Sequence, residues 1–204
     1  MAEWMVKFIN LSTSEPYNLF THFYNDALNS NQKAINAIVI SSFDQDSNEV
    51  DSRFVNLKYI NNEDWIFFSN YSSPKAKQFD SHKQITAAFY WNEIDVQIRI
   101  KASIKKCDEE FSDFHFKLRD HSKNALAISS NQSEIISSYQ DVKDNFEKVS
   151  TRSSSLSERP NYWGGFSFLP YSMEFWQGDS SRVNKRTLYK LNDNLGWIKT
   201  YLQP

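Results

Sequence analysis

Residues 96–106 alternate between apolar and polar side chains over their whole length, in the sequence VQIRIKASIKK. Successive side chains of a strand point to opposite faces, so this period of two indicates a strand with one buried and one exposed face. Further strand-like segments recur at short intervals, with the sequences NAIVISSFD, SRFVNLKYI, DWIFFSN, QITAAFYW, GGFSFLP, SMEFWQ, RTLYKL and GWIKTYL. Many short antiparallel strands at regular spacing favour a mainly β domain that closes into a small barrel.

Helical periodicity interrupts these strands in four places. Apolar residues at helical spacing run through YNLFTHFYNDAL, and SPKAKQFD predicts a short helix with Pro74 in its first turn. The pattern is helical again from Asp108 to about Ile128 and across SSYQDVKDNFEKV. We therefore predict an α+β chain that forms one domain over residues 1–204, with a β-barrel and peripheral helices.

Glycine is scarce in a chain rich in aromatic residues. Sixteen Phe, ten Tyr and six Trp predict an interior packed with aromatic rings. The four glycines are too few and too scattered for a glycine-rich phosphate loop, and they stand at Gly164, Gly165, Gly178 and Gly196. Any phosphate must therefore be held by side chains and ordinary backbone groups.

Charge and cysteine content exclude other classes. A net charge of −2 with well-mixed signs gives no electrostatic case for nucleic acid or an acidic membrane as a partner. The single Cys107 excludes an intrachain disulfide framework. No apolar run is long enough to span a membrane, and residues 1–18 lack the apolar core of a secretion signal. We expect a cytoplasmic protein.

The four histidines do not predict a metal site. None has metal-ligand spacing to a second histidine or to the cysteine, and His115 and His121 are six residues apart. Cations and amides in or beside strands are the more informative set, at Arg53, Lys58, Lys75, Gln97, Gln132, Ser133, Arg182, Lys185 and Arg186. The start of the helix after NYSSPK adds free backbone N–H groups. Singly, such residues are more often solvated charges; together they suit a phosphorylated aromatic ligand.

Six blocks of sequence resemble the pyridoxamine 5′-phosphate oxidase family in order and nearly in spacing. They are RFVNLK, FFSNYSSPKAKQ, AAFYWNEIDVQIRI, SNQSE, RPNYWGGFSFLPYSMEFWQG and GWIKTYLQP. The resemblance covers most of the chain. It implies an antiparallel, Greek-key-like split β-barrel, FMN bound without a covalent link, and a homodimer with two flavin sites at its interface. Residues from about 163 to 204 would form the dimerisation and flavin-closing region.

The resemblance also implies a reaction. Family members remove a hydride from the C4′ carbon of pyridoxine or pyridoxamine 5′-phosphate and pass it to flavin N5, and O₂ then reoxidises the flavin. In such enzymes the cofactor carries the redox chemistry, while the protein contributes binding, orientation and electrostatics.

The cofactor site that the resemblance implies is largely present. Its residues are Arg53, Phe54, Val55, Asn56, Lys58, Phe68, Ser69, Lys75, Gln97, Gln132, Ser133, Trp176 and Arg186. Gln132 and Ser133 match a pair that we expect to reach the cofactor from the other subunit. Pro74 replaces a family arginine, which removes one cation from the phosphate site.

The substrate pocket that the resemblance implies is altered. Its expected residues are Lys58, His115, Arg119, Lys123 and Arg182, with His115 at a family tyrosine and Lys123 at or next to a family serine. Arg182 and Asn184 are the expected catalytic residues. Asn184 replaces a family histidine, and an amide cannot exchange a proton near neutral pH as an imidazole can.

Three functions stay open at this point. The first is an FMN-dependent oxidase of phosphorylated B6 vitamers. The second is a flavin oxidoreductase of the same family that acts on another substrate, such as the tricyclic aromatic acid of phenazine biosynthesis. The third is a non-catalytic protein that binds FMN or pyridoxal phosphate, which the losses at Pro74 and Asn184 favour.

Overall fold

The computed structural model describes residues 5–151 and 156–204, so the first four residues of the N-terminal segment discussed above lie outside it. Within these ranges the strands are β1 (Lys7–Ile9), β2 (Ala37–Asp44), β3 (Glu49–Asn56), β4 (Tyr59–Asn61), β5 (Asp64–Asn70), β6 (Gln84–Trp91), β7 (Val96–Lys106), β8 (Trp163–Gln177), β9 (Lys185–Leu191) and β10 (Trp197–Leu202). The helices are α1 (Glu15–Asn29), α2 (Pro74–Ser81), α3 (Glu109–Leu118), α4 (His121–Ser129) and α5 (Tyr139–Ser150), with a 3₁₀ turn at Asn92–Ile94. In these described residues no helix has the length and apolar character to cross a membrane.

All ten strands join one sheet, in the order β1-β4-β5-β8-β7-β6-β2-β3, with β9 paired to β8 and β10 paired to β9. Every pairing is antiparallel except the parallel pair β1–β4. The α+β class is therefore confirmed. Among the described strands the hydrogen-bonded ladder runs from β1 at one end to β3 at the other.

Two predicted strand boundaries also differ from the structure. The segments GGFSFLP and SMEFWQ form one strand, β8, whose pairing with β7 slips where Lys101 faces Ser172 and Ala102 faces Pro170. Proline has no N–H to donate, and a bulge accommodates it inside a sheet. The skipped Tyr171 breaks the alternation, which is why the sequence indicated two strands.

The segment SRFVNLKYI is in turn two strands, because the chain changes partner at Leu57 and Lys58. The N–H of Leu57 donates to the carbonyl of Asn36, beside β2, and the N–H of Lys58 donates to the carbonyl of Ile66 on β5. Both distances are short, at 2.9 and 2.8 Å. Lys58 therefore stands at the junction between the β2–β3 pair and the β4–β5 pair, which matters for the site below.

The core is aromatic, as the composition predicts. Helix α1 buries Phe20 completely, with its ring centroid 4.5 Å from that of Trp65 and 5.6 Å from that of Trp91. Rings of Phe67 and Phe166 stack at 5.7 Å further along the barrel. Edge-to-face and offset pairs of this kind stabilise a fold beyond the area that they bury. This packing makes a rigid frame for the polar cavity on the other side of β3 and β5.

Candidate cofactor and substrate site

A cavity of about 570 Å³ opens where β3, the β3–β4 junction, β5 and the start of α2 meet α3, α4 and the loop that follows them. It brings together most of the residues predicted for cofactor and substrate, namely Arg53, Phe54, Val55, Asn56, Lys58, Phe68, Ser69, Lys75, His115, Arg119, Lys123, Gln132 and Ser133. Its wall also contains Asp51 and Trp163, which the sequence reasoning missed. The volume suits a ligand of the size of a small organic cofactor.

One end of the cavity is built around Arg53 on β3. Its Nη1 donates to Ser42 Oγ at 2.7 Å and its Nη2 donates to Gln78 Oε1 at 2.9 Å. The same guanidinium forms an ion pair with Asp51, which lies two residues away on the same face of the strand. Three side chains therefore hold a planar donor at the cavity wall, where it suits an oxygen-rich anion.

Lys75 stands beside Arg53 in the first turn of α2. Its side chain is buried and its Nζ donates to Ser73 Oγ at 3.2 Å. Burial, and then the positive charge of Arg53, lower the pKa of Lys75 to about 8, while Asp51 acts in the opposite direction. Lys75 is therefore charged below about pH 8. With the N–H groups of the first turn of α2, these cations form what we call the Arg53–Lys75 end of the cavity.

The loop after α4 closes the cavity from within the same chain. Gln132 Oε1 accepts hydrogen bonds from Ser69 Oγ at 3.1 Å and from the backbone N–H of Asn70 at 3.3 Å. Ser133 lines the same cavity. The expectation that Gln132 and Ser133 reach the site from the other subunit is therefore wrong, because α4 returns the chain onto β5.

The opposite end of the cavity contains a neutral histidine. His115 is buried, its ring stacks on Phe68 with centroids 3.7 Å apart, and its Nδ1 lies 2.8 Å from the Tyr59 hydroxyl. Burial, followed by the charges of Arg119, Lys58 and Lys7, lowers the pKa of His115 to about 3. The imidazole is therefore neutral, and when the Tyr59 hydroxyl donates to Nδ1 the Nε2–H is left as a donor.

Arg119 packs against two aromatic rings next to this histidine. Its guanidinium carbon is 4.4 Å from the ring centroid of Trp163 and 5.6 Å from that of Phe116. Its Nη2 also donates to the backbone carbonyl of Lys123 at 3.2 Å. These cation–π contacts hold the guanidinium against the aromatic rings. Together with Lys58, these residues form what we call the His115–Arg119 end.

The remaining predicted residues form a second group outside the cavity, across β7, β8 and β9. Gln97 pairs with Trp176, and Trp176 pairs with Arg186. The Nε and Nη2 of Arg186 donate to Glu174 Oε1 at 3.0 and 2.7 Å, so this arginine is already in an ion pair.

Arg182 and Asn184 lie in the loop that enters β9. Arg182 is exposed and takes a left-handed backbone conformation, with φ of 65°. Its N–H donates to the carbonyl of Asp179 at 2.9 Å, while the N–H of Asp179 donates to Asn184 Oδ1 at 3.1 Å. Asn184 therefore helps to shape the loop that presents Arg182. The single chain does not bring this second group to the cavity.

Fold and cavity together define a split-barrel protein with a cavity lined by several cationic side chains. A family model described as the pyridoxine 5′-phosphate oxidase C-terminal dimerisation region matches residues 163–204. Pyridoxine/pyridoxamine 5′-phosphate oxidases of Leptospira interrogans and Trichormus variabilis are 30% and 32% identical to this chain, each over 94% of it and 89% of their own length. The chain belongs to the pyridoxine/pyridoxamine 5′-phosphate oxidase family, a family of oxidoreductases.

Solved structures agree on the fold. PhzG from Burkholderia lata 383, in complex with tetrahydrophenazine-1-carboxylic acid, superposes with a TM-score of 0.88 at 24% identity, over 94% of this chain and 93% of that one. A pyridoxamine 5′-phosphate oxidase-related, FMN-binding protein from Nostoc punctiforme has a TM-score of 0.79 at 11% identity, over 95% and 99%. The split β-barrel is thus confirmed. The roles of the individual site residues stay predictions.

Proposed function

We propose that this protein is an FMN-dependent oxidase of pyridoxine or pyridoxamine 5′-phosphate. The observation that carries the proposal is that one cavity has two separate cationic ends. Arg53 and Lys75 line one end, where the charge of Arg53 acts on Lys75, and Arg119 and Lys58 line the other, where their charges act on His115. A phosphorylated cofactor and a phosphorylated substrate in one site require two such ends.

The Arg53–Lys75 end fits the phosphate of FMN. Arg53 offers a fixed planar donor, Lys75 adds a charge, and the Ser69 hydroxyl lines the same cavity. Pro74 contributes no N–H, so the start of α2 offers one donor fewer than it otherwise would. FMN, when bound, supplies the redox chemistry by taking two electrons from the substrate carbon and passing them to O₂.

The His115–Arg119 end binds the substrate phosphate in this proposal. Lys58, Arg119 and Lys123 line the cavity and attract the dianion. The Nε2–H of His115 adds a neutral donor whose orientation Tyr59 fixes. With the phosphate held here, the ring of the substrate is oriented toward the cofactor, and alignment of this kind lowers the barrier to the transfer.

A homodimer completes the site in this proposal. Arg182, Asn184, Trp176 and Arg186 fall within the matched dimerisation region 163–204 but outside the cavity of their own chain. We infer that the group around β7, β8 and β9 closes over the cavity of a second copy, with Arg182 above the reacting carbon. Residues 1–204 then act as one FMN-binding split-barrel domain.

A second candidate substrate is an aromatic carboxylic acid. The stacked rings of Phe68, His115 and Trp163 beside Arg119 offer a flat apolar wall next to one cation. Such a wall suits a fused-ring acid of the kind bound in the Burkholderia lata protein. This reading keeps the cofactor and changes only the substrate.

An anaerobic titration tests the proposal. The FMN-loaded protein is mixed with pyridoxine 5′-phosphate without O₂, and the visible band of the oxidised flavin is followed. Bleaching that air reverses supports the oxidase. Pyridoxine without phosphate is the matched control and should bleach far more slowly. If dithionite bleaches the flavin band but no B6 vitamer does, the proposal is contradicted. If only a phenazine-type acid bleaches it, the second candidate is favoured.

We expect the affinity for FMN to depend on the charge of Lys75. The native pKa is about 8, so the ammonium is present below that pH and is lost above it. The phosphate of FMN is a dianion throughout, and linkage predicts a Kd that rises about tenfold from about pH 7 to about pH 9. Titration of apoprotein with FMN by fluorescence quenching measures this. Lys75→Arg should flatten the profile, and a flat profile in the unmodified protein contradicts the placement.

Asp51 is expected to weaken FMN binding. Its carboxylate lines the cavity and pairs with the guanidinium that the phosphate needs. Asp51→Asn should therefore lower the Kd for FMN by about two- to fivefold at low salt, the range for an exposed ion pair. Asp46→Asn removes the same charge from the exposed β2–β3 turn and is the control. Weaker binding in Asp51→Asn would mean that Asp51 mainly orients Arg53.

A further inference from the structure

A second cavity of about 410 Å³ adjoins the His115–Arg119 end. It shares Lys58, His115 and Arg119 with the main cavity, so the two spaces meet at the same three side chains. Its other lining residues are Met5, Lys7, Tyr59, Leu118 and Asp120. A ligand group bound at Lys58 and Arg119 can therefore also interact with a third cation, Lys7, which lines the second cavity.

The fold fixes Lys7 in this position through backbone pairing. Strand β1 pairs in parallel with β4, with Lys7 opposite Tyr59, and the N–H of Lys7 donates to the carbonyl of Lys58 at 2.9 Å. The Lys7 ammonium lies 5.6 Å from the centroid of the Tyr59 ring. Its charge also reaches His115, since it contributes to the low pKa of that imidazole.

Among the described residues that line this second cavity, the one carboxylate already accepts hydrogen bonds from its own helix. Asp120 is the N-cap of α4 and accepts hydrogen bonds from the backbone N–H and the hydroxyl of Ser122, at 2.8 and 2.5 Å. Within residues 5–151 and 156–204, Lys7 forms no ion pair. The Lys7 ammonium is therefore available to an anion that enters this cavity.

We propose that Lys7 is a specificity-determining residue of the substrate site, which favours a doubly charged phosphate over a singly charged carboxylate. The inference rests on the proposed function and deepens it. Coulomb energy scales with the product of the charges, so one added cation stabilises a dianion about twice as much as a monoanion at the same place. The factor by which the added cation lowers the Kd of a dianion is then about the square of the factor by which it lowers the Kd of a monoanion.

Lys7→Met tests this, because Met keeps the length of the side chain and removes the charge. The FMN-loaded protein is titrated by calorimetry with pyridoxal 5′-phosphate and with 5-pyridoxic acid, which has a carboxylate at the ring position that carries the phosphate arm. The Kd should rise about tenfold for the phosphate and about threefold for the carboxylate. Lys7→Arg keeps the charge and should stay near the unmodified protein. Lys33→Met, at an exposed position beyond α1, is the control.

The outcomes separate the two proposals. If the unmodified protein and Lys7→Met bind pyridoxal 5′-phosphate equally well, the role of Lys7 is overturned, while the proposed oxidase function is unaffected. Equal weakening for phosphate and carboxylate also overturns that role, since it indicates a general disturbance of β1. Unmodified protein that binds neither ligand overturns both proposals. A melting temperature unchanged by Lys7→Met shows that β1 still pairs with β4.

Discussion

Arg53→Ala is expected to weaken FMN binding by about tenfold to a hundredfold. A hydrogen bond to a charged group contributes about 1.5–3 kcal/mol, and each 1.4 kcal/mol is a factor of ten in Kd. The structure adds a second reason. Removal of Arg53 leaves Asp51 at the cavity wall without its ion pair, so a repulsive carboxylate then faces the phosphate. We therefore expect a loss in the upper part of that range.

The double variant Asp51→Asn/Arg53→Ala separates these two effects. If the unpaired carboxylate matters, the double variant should recover part of the affinity that Arg53→Ala loses. Both are measured by quenching of flavin fluorescence during titration of apoprotein, with Lys33→Ala as a control for loss of one exposed cation. The remaining bond between Ser42 and Gln78 at 2.5 Å should keep the local fold, which a melting curve checks. Unchanged FMN retention in Arg53→Ala would contradict the placement of the phosphate.

Regular periodicity explains which parts of the fold the sequence predicted. Strand β7 alternates without interruption and has the predicted bounds, Val96–Lys106. Strand β8 was divided because the bulge at Tyr171 breaks the period. Strand β1 was missed because three residues, Lys7–Ile9, are too few to show a period, and its parallel partner β4 is equally short. Bulges and short strands depend on partners that only the folded chain supplies.

In the candidate site, too, the sequence predicted some features, while others depend on the folded chain. Matching motifs predicted residues such as Arg53 and Lys75 by type. The effect of the Arg53 charge on Lys75, in contrast, depends on the packing of α2 against β2 and on the bond from Arg53 to Gln78 of α2. Asp51 was missed because an acidic residue near a hairpin turn gives no signal in a sequence. The subunit assigned to Gln132 was wrong because only the path of the chain after α4 shows that this residue reaches Ser69.

Asn184→His is expected to raise the rate of vitamer oxidation by at least tenfold. Oxidation of the C4′ alcohol or amine releases a proton as well as the electrons, and an imidazole accepts a proton where an amide does not. A positioned general base contributes about a hundredfold to ten-thousandfold. We expect a rate gain below that range, because correct alignment with the cofactor already supports the reaction without a base.

The substitution gives up one bond of the loop. Asn184 Oδ1 accepts from the N–H of Asp179, whereas a neutral histidine acts as a base only in the tautomer with unprotonated Nε2, whose Nδ1–H cannot accept that bond. Asn184→Ala is the matched control, since it loses the loop bond without adding a base, and we expect it to lower the rate by releasing the turn that presents Arg182.

The pH profile distinguishes proton transfer from a change in loop shape. A histidine with an ordinary pKa near 6.5 accepts a proton only when it is neutral, so the gain of Asn184→His should be present above about pH 6.5 and vanish below it. Steady-state rates with pyridoxine 5′-phosphate across that interval measure the effect. A uniform gain at all pH values would indicate a better-ordered loop. No gain and no new inflection would mean that position 184 does not lie over the substrate, and the inferred closure of the cavity by a second copy would then lose its main support.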